Sequence, residues 1–406
     1  MAFRVGFAAF PAGEVAERSK ALDWKFSNTQ QVFVGSNPTL SATKRGQIYF
    51  PRPWSRRLRA TQKIDLTPFL LAILLTACAE PQPQVLQGPA MGTTWSVHLG
   101  ELPEVADTAT VETAVLAVLS EMDATLSTWN ADSEISRLNR HAGSDWVPLS
   151  AHLYAVLDAA RTVSARTDGV FDVTVAPLVA LWGFGTASDV ARQPTARQID
   201  AARSAVGMDK LELSVQPRAA RKLAPGLELD VSAIAPGYAV DRIARALDAL
   251  GYVNYIIEIG GEVRCRGRGP HGGPWRIAIE RPLTGARAVQ AIVALDGLAI
   301  STSGDYRDYR VVGGRRISHT IDPRSGAPVD HALASVSVIH DSTMLADAYA
   351  TALMVLGPQR GLELAERLRL PALFVERRGD AFSERATRSF ARFRLLDDAL
   401  PTSAHN

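Results

Sequence analysis

Apolar residues recur three or four positions apart over residues 109–126, 151–166, 195–206 and 237–251, the spacing of helices with one buried face. Gly251 closes the last of these. In TWNADSEISRLN, Asp132 or Ser133 is placed to cap a further short helix. TWSVHLG, LELSV, LELDV, WRIAIERP, AVQAIVALDGLAISTSG, LASVSVIH, ALFVER and SFARFRLL are short and β-branched or alternating, and read as strands. VNYIIEIGGEVRCRG is β-branched on both sides of a Gly-Gly pair, which gives two strands or one bulged strand. VFDVTVAPLVALWGFG reads as a strand, a proline break and an apolar turn. Residues 343–357, TMLADAYATALMVLG, form a helix apolar on most sides, with a second helix at about 359–369. The mixed order, with several strand-to-strand steps, favours an α+β fold: mixed, largely antiparallel sheets with flanking helices, not a doubly wound sheet. No shift in composition divides residues 88–398 into independent domains.

The pattern before residue 88 is different. RRLRATQKIDLTPFLLAILLTAC (residues 56–78) is a basic segment, a short apolar run and small residues ahead of Cys78. The run is too short to span a bilayer and has the flanks of a signal-peptide core. LTAC resembles a bacterial lipoprotein box, in which the chain is cut before the cysteine and the cysteine carries lipid. Residues 56–77 are thus expected to be a signal peptide and 78–87, which contains AEPQPQ, a linker. Residues 1–55 include a stretch without steady period that resembles the read-through of a transfer-RNA gene, so the true start is expected downstream. Residues 399–406 read as a tail.

Composition sharpens this division. Residues 1–77 hold 11 Lys and Arg against 4 Asp and Glu, a net of +7, and the whole chain carries +2, which leaves −5 on the rest. A mildly acidic body is not expected to bind nucleic acid. With 47% hydrophobic and 21% charged residues the chain can bury a sizeable core, which excludes disordered and fibrous classes. Two cysteines, Cys78 and Cys265, imply no disulfide framework.

Candidate chemistry starts at Asp347. A carboxylate in a helix apolar on most sides is costly unless something positive compensates it. Thr351, one turn on, points the same way. Two hard oxygens on one face suit Mg²⁺, which takes its remaining ligands from water and phosphate. The alternative is that the helix dipole favours Asp347 and Thr351 packs by its methyl group. Asp172 in FDVTVAP is a ligand or a turn carboxylate. LDVSAIAPGYAVD, residues 229–241, leads a small-residue turn into a helix start that can approach a ligand closely. ISTSGDYR, residues 300–307, is rich in hydroxyls, and SHTIDPRSGAP sets His319, Asp322 and Pro323 in a turn. GRGPHG matches a dinucleotide-binding glycine pattern but precedes a strand, where that motif requires a helix, so it reads as a surface hairpin.

Taken together, MGTTW, STWNADSEISRLN, TDGVFDVTVAPLVALWGFG, AIAPGYAVD, IEIGGEV, ISTSGDY, HTIDPRSG and ADAYATALMVLG occur in an order that resembles the ApbE family, the FAD:protein FMN transferases, over roughly residues 88–398. The resemblance implies a periplasmic lipoprotein, lipid-anchored through Cys78 at the inner membrane, that binds FAD and Mg²⁺. It implies transfer of FMN to a Ser or Thr of a target protein with release of AMP. Known targets include subunits of sodium-pumping NADH:quinone reductases and related electron-transport complexes. By motif position, the metal ligands would be Asp347, Thr351 and the backbone carbonyl of Ala233. The nucleotide contacts would be Met91, Ser127, Thr128, Trp129, Asp172, position 236 and, near the adenine, Ile321. His319 would be the acid–base group. Position 236 departs from the family, which usually has Lys or Glu there; Pro236 offers neither charge nor N–H. Two other readings share this site: a Mg²⁺-dependent FAD pyrophosphatase, with water as acceptor, and a flavin-binding lipoprotein without turnover.

Overall fold

Eight strands build one antiparallel sheet whose two faces are both buried. The computed structural model describes residues 84–100, 107–185, 193–270, 272–285, 287–306, 309–312 and 315–395, with the backbone of 32–34. Residues 56–77 and Cys78, on which the signal-peptide and lipid-anchor expectations rest, lie outside the described residues, as does the tail.

In chain order, β1 (Val32–Val34) precedes the hairpin of β2 (Gln84–Ala90) and β3 (Thr93–Leu99). Helices α1 (Thr108–Leu126) and α2 (Glu134–Arg140), the short strand β4 (Val147–Pro148), and helices α3 (Ala151–Arg166), α4 (Ala176–Leu181) and α5 (Ala196–Arg203) follow. Next come β5 (Leu211–Val215), β6 (Arg218–Lys222) and helix α6 (Ala235–Ala249). Strands β7 (Tyr255–Ile259), β8 (Glu262–Arg266), β9 (Trp275–Glu280), β10 (Val289–Leu295) and β11 (Ala299–Gly304) then run almost consecutively. Two small hairpins, β12 (Tyr309–Val312) with β13 (Arg315–Ser318) and β14 (Ile321–Asp322) with β15 (Ala327–Pro328), lead to β16 (Leu333–His340). Helix α7 (Thr343–Arg367) and the hairpin of β17 (Ala372–Arg378) and β18 (Ala381–Ala386) complete the described body.

The large sheet has the order β18-β17-β16-β11-β8-β7-β3-β2. Its neighbours pair antiparallel throughout. Because side chains alternate between the two faces, β7, β16 and β17 are buried at nearly every position, while the outer strands β2 and β18 are not. Along β17, Ala372 and Phe374 join the core under the helices, while Leu373 and Val375 join a second core against β9 and β10. Helices α1, α3, α6 and α7 contribute to the first core, so the helical layer covers one face and the small β9–β10 sheet the other.

Several readings of the sequence change. LELDV forms no strand; it makes one bridge, Glu228 to Val175, and its backbone is held by Asn139, whose side chain bonds both Leu229 N (2.8 Å) and Leu229 O (2.9 Å). VFDVTV is a turn, because Asp172 captures the N–H of Thr174 (2.8 Å) in an Asx turn. SFARFRLL contains a 3₁₀ turn, Ala391–Phe393, in place of a strand. Strand β2 begins at Gln84, inside the segment read as a linker, and β1, within residues 1–55 and so upstream of the expected start, pairs parallel to β9 with Val32 opposite Ile277.

Helix α7 kinks at Gly357, which has φ 76° and ψ −175°. Pro358 lacks the N–H that would bond the Met354 carbonyl. His331 replaces it, donating from Nε2 to that oxygen at 2.8 Å. Only glycine fits the bend: a Cβ on residue 357 would fall 2.7 Å from the His331 ring.

Candidate functional site

The site is built where α6 and α7 cross at their N-termini. Helix α6 has no side-chain cap, and Pro236 occupies its first turn, where a missing N–H costs nothing. Gly237 allows the crossing, since a Cβ there would lie 2.5 Å from the Thr343 carbonyl oxygen. The closeness brings the Gly237 N–H to Asp347, whose Oδ2 accepts it at 3.2 Å. Asp347 is 5% exposed. One turn further, the Thr351 hydroxyl pairs with Ser303 Oγ on β11 at 3.1 Å.

A second acid faces this one. Glu262, the first residue of β8, follows the Gly260–Gly261 turn, and Ser301 Oγ lies 3.5 Å from its Oε1. Burial pushes the Asp347 carboxyl up to about 7. Glu262 is raised well above the usual carboxylate range by desolvation first, then by the charges of Asp347 and Glu258. What opposes these rises is hydrogen bonding, from Gly237 at Asp347 and, at Glu262, from a backbone N–H and the Ser301 hydroxyl. The described residues contain no group of three or more His, Cys, Asp or Glu arranged to hold a metal ion. The donors fit a different kind of site. A buried carboxylate, a hydroxyl and the carbonyl of Ala233, two residues before α6, are hard oxygens that suit a cation taking its other ligands from a phosphate.

A second convergence surrounds Asp172. Its Oδ1 accepts from Thr174 N (2.8 Å) and Thr174 Oγ1 (2.6 Å), and its Oδ2 from Met208 N (3.1 Å). Burial nevertheless raises its pKa, against the pull of those bonds. Asp172, Arg161, Gly169, Met208, Pro323 and Arg324 line a cleft of about 550 Å³. The adjoining backbone ties to the run into α6, with Asp230 N donating to Val173 O at 2.7 Å. HTIDPRSG reaches the same region: Trp182 Nε1 donates to Gly326 O at 2.8 Å, and Ile321 packs with Leu178, Trp182 and Val206. The His319 ring stands edge-on to Phe184, 6.5 Å between centroids.

The structure therefore groups Asp347, Thr351 and the α6 start carrying Pro236. It groups Asp172 with Pro323 and Arg324, on the segment that carries His319 and Ile321. The remaining residues lie at loop tips. Met91 adopts φ 51° in the β2–β3 turn, and Thr93 packs against Gly260, which sets that turn beside the one leading to Glu262. Ser127 caps the end of α1, and its carbonyl accepts from Ser133 Oγ (2.6 Å) and Ser136 Oγ (3.2 Å). Beyond it, Thr128 is half-buried and Trp129 is 74% exposed, an aromatic surface open to a ligand.

Sequence reasoning missed Glu262, Glu258 and Asp241. Each is an acid set among apolar residues, the signal that singled out Asp347. Asp241 is 8% exposed, and its carboxylate bonds the first turn of α7.

Known proteins share much of this sequence and its fold. The family model described as the ApbE family matches residues 91–374. A Vibrio cholerae FAD:protein FMN transferase is 41% identical over 322 residues, covering 79% of this chain and 96% of that protein. One from Haemophilus influenzae is 38% identical over 328 residues, covering 79% and 94%. The apo crystal structure of the Pseudomonas stutzeri flavinyl transferase ApbE superposes with a TM-score of 0.71 at 42% identity, covering 77% of this chain and 96% of that one. A family model spanning most of the body, with relatives matched over nearly their whole length, shows that the chain belongs to the ApbE family.

Proposed function

We propose that this chain, an FAD:protein FMN transferase, moves the FMN moiety of FAD onto a Ser or Thr hydroxyl of an acceptor protein with a divalent cation at Asp347, releasing AMP. The observation that carries the reading is Asp347, a carboxylate buried at the crossing of α6 and α7 where Gly237 N–H reaches it, with the half-buried Glu262 beside it. A carboxylate in the core with a second acid nearby is costly unless a cation compensates it.

Asp347, Thr351 and the Ala233 carbonyl would hold Mg²⁺, which when bound neutralises charge on pyrophosphate oxygens. The chemistry is displacement at phosphorus. The acceptor oxygen forms a bond to the FMN phosphorus, and the bond from that phosphorus to the bridging oxygen breaks. The electron pair leaves with AMP. The hydroxyl proton passes to a base, the role we assign to His319. Such transfer relies on positioning and charge neutralisation more than on covalent chemistry. Met91, Ser127, Thr128, Trp129, Asp172 and Ile321 supply the nucleotide contacts. Pro236 supplies backbone approach only. The acceptor class is a subunit of a sodium-pumping NADH:quinone reductase or related electron-transport complex. The leader pattern supports a lipid anchor on Cys78 at the periplasmic face of the inner membrane.

Incubation with FAD and Mg²⁺, with and without such an acceptor, tests the reaction. The reading requires an acceptor-bound FMN adduct and AMP in equal amounts. FMN and AMP formed equally with or without acceptor would establish a pyrophosphatase in its place. Absence of AMP in both arms would leave a flavin-binding protein.

A further inference from the structure

We propose that Asp241 is the positioning residue that sets Asp347 at the site, an inference that rests on Asp347 being a cation ligand. Asp241 belongs to α6, yet its carboxylate caps α7. Its Oδ1 accepts from Thr343 N (3.0 Å), Thr343 Oγ1 (2.8 Å) and Arg264 Nη1 (3.2 Å). Its Oδ2 accepts from Ser342 Oγ (2.7 Å) and Met344 N (3.1 Å).

A helix start leaves four N–H groups without intrahelical partners. Here Asp241 takes those of Thr343 and Met344, Ser342 Oγ takes that of Leu345 (3.4 Å), and His340 Nδ1 takes that of Ser342 (3.0 Å). An ordinary cap comes from the residue before the helix and leaves the helix free to move as a body. A cap supplied by another helix fixes one against the other.

The geometry has two rungs. Gly237 and Asp241 stand one turn apart on α6, and Thr343 and Asp347 stand one turn apart on α7. Asp241 bonds Thr343, and Gly237 bonds Asp347. The first rung thus sets the height of the second. Arg264 adds the third element, because it follows Glu262 on β8 by two residues and bonds both Asp241 and the Asp341 carbonyl (2.6 Å). The elements carrying Asp347, Glu262 and Gly237 are joined through one carboxylate. An amide cannot do this: Asp241→Asn keeps one accepting oxygen and turns an NH₂ toward donors.

The test is Mn²⁺ binding in the presence of FAD, followed by electron paramagnetic resonance, on the wild-type protein, Asp241→Asn and Thr343→Val. Thermal unfolding establishes that each variant is folded. Asp241→Asn should weaken Mn²⁺ binding about tenfold, the scale for removing a group that orients a metal ligand. Thr343→Val removes one donor and should weaken it about threefold. In turnover, the Asp241→Asn loss should be restored by raising Mg²⁺, with the KM for FAD little changed. A merely structural role would lower the melting temperature and leave Mn²⁺ affinity unchanged, and that result overturns the proposal. If Asp241→Asn does not fold, wild-type Mn²⁺ affinity in Thr343→Val overturns it. Failure of the wild-type protein to bind Mn²⁺ would instead remove the cation reading on which the proposal stands.

Discussion

Gly237 and Thr343 meet backbone to backbone: a Cβ on residue 237 would lie 2.5 Å from the Thr343 carbonyl oxygen and 2.8 Å from the Met344 Cα. Neither is the yielding end of a flexible side chain. Gly237→Ala must therefore separate α6 from α7 and break the bond to Asp347. We expect a loss of about 2 kcal/mol in stability, typical of overpacking, and a larger proportional loss of transfer activity. Denaturant unfolding and the FMN transfer rate check this. Normal stability together with normal activity would contradict the crossing as described.

The buried Asp347 carboxyl fixes the sign of a pH dependence. A carboxyl raised from 3.8 to about 7 holds its proton in the fold after the unfolded chain has released it. Across that window the folded state binds more protons, so stability falls as pH rises. In EDTA, the melting temperature of the wild-type protein should fall between pH 5 and pH 7 more than that of Asp347→Asn, which cannot titrate. Saturating Mg²⁺ should flatten the wild-type curve. Equal slopes in EDTA would show that burial at Asp347 costs nothing.

His331 satisfies the one carbonyl that Pro358 leaves open in α7. His331→Ala should cost about 1 kcal/mol, the lower range for an unpaired buried acceptor, with little change in the KM for FAD. Thermal melts and kinetics separate the two effects.

Lipid attachment predicts that Cys78→Ala moves the protein from the membrane to the soluble fraction and leaves the transfer rate of the purified body unchanged. Labelling with a fatty-acid analogue reads the modification directly. Label retained in the variant would contradict it.

Much of the helical layer was legible because period and cap agree locally. Helix α2 starts after Ser133, whose side chain accepts from Ser136 N, and α5 carries a full capping box, Thr195 with Gln198. The double burial of β17 shows as the apolar run ALFV, whereas β16, LASVSVIH, buries Ser335 and Ser337 among its apolar residues. Other elements were hidden because their stabilisation is tertiary. Strand β6, Arg218–Lys222, has no β-branched residue and is held between β4 and β5. LELDV has a strand's composition but finds Asn139 in place of a ladder. At the site, Asp347 and Thr351 could be paired from helical spacing alone. Asp241 and Glu262 could not, because their meaning comes from a helix crossing and a hairpin that spacing does not encode.

The most direct measurement is the mass of a purified acceptor protein after incubation with FAD, using wild-type protein and Asp347→Ala, each with Mg²⁺ or with EDTA. The account predicts an FMN adduct only for the wild-type protein with Mg²⁺, and a variant that melts cooperatively but transfers nothing. An undiminished adduct from folded Asp347→Ala, or from the wild-type protein in EDTA, would contradict it.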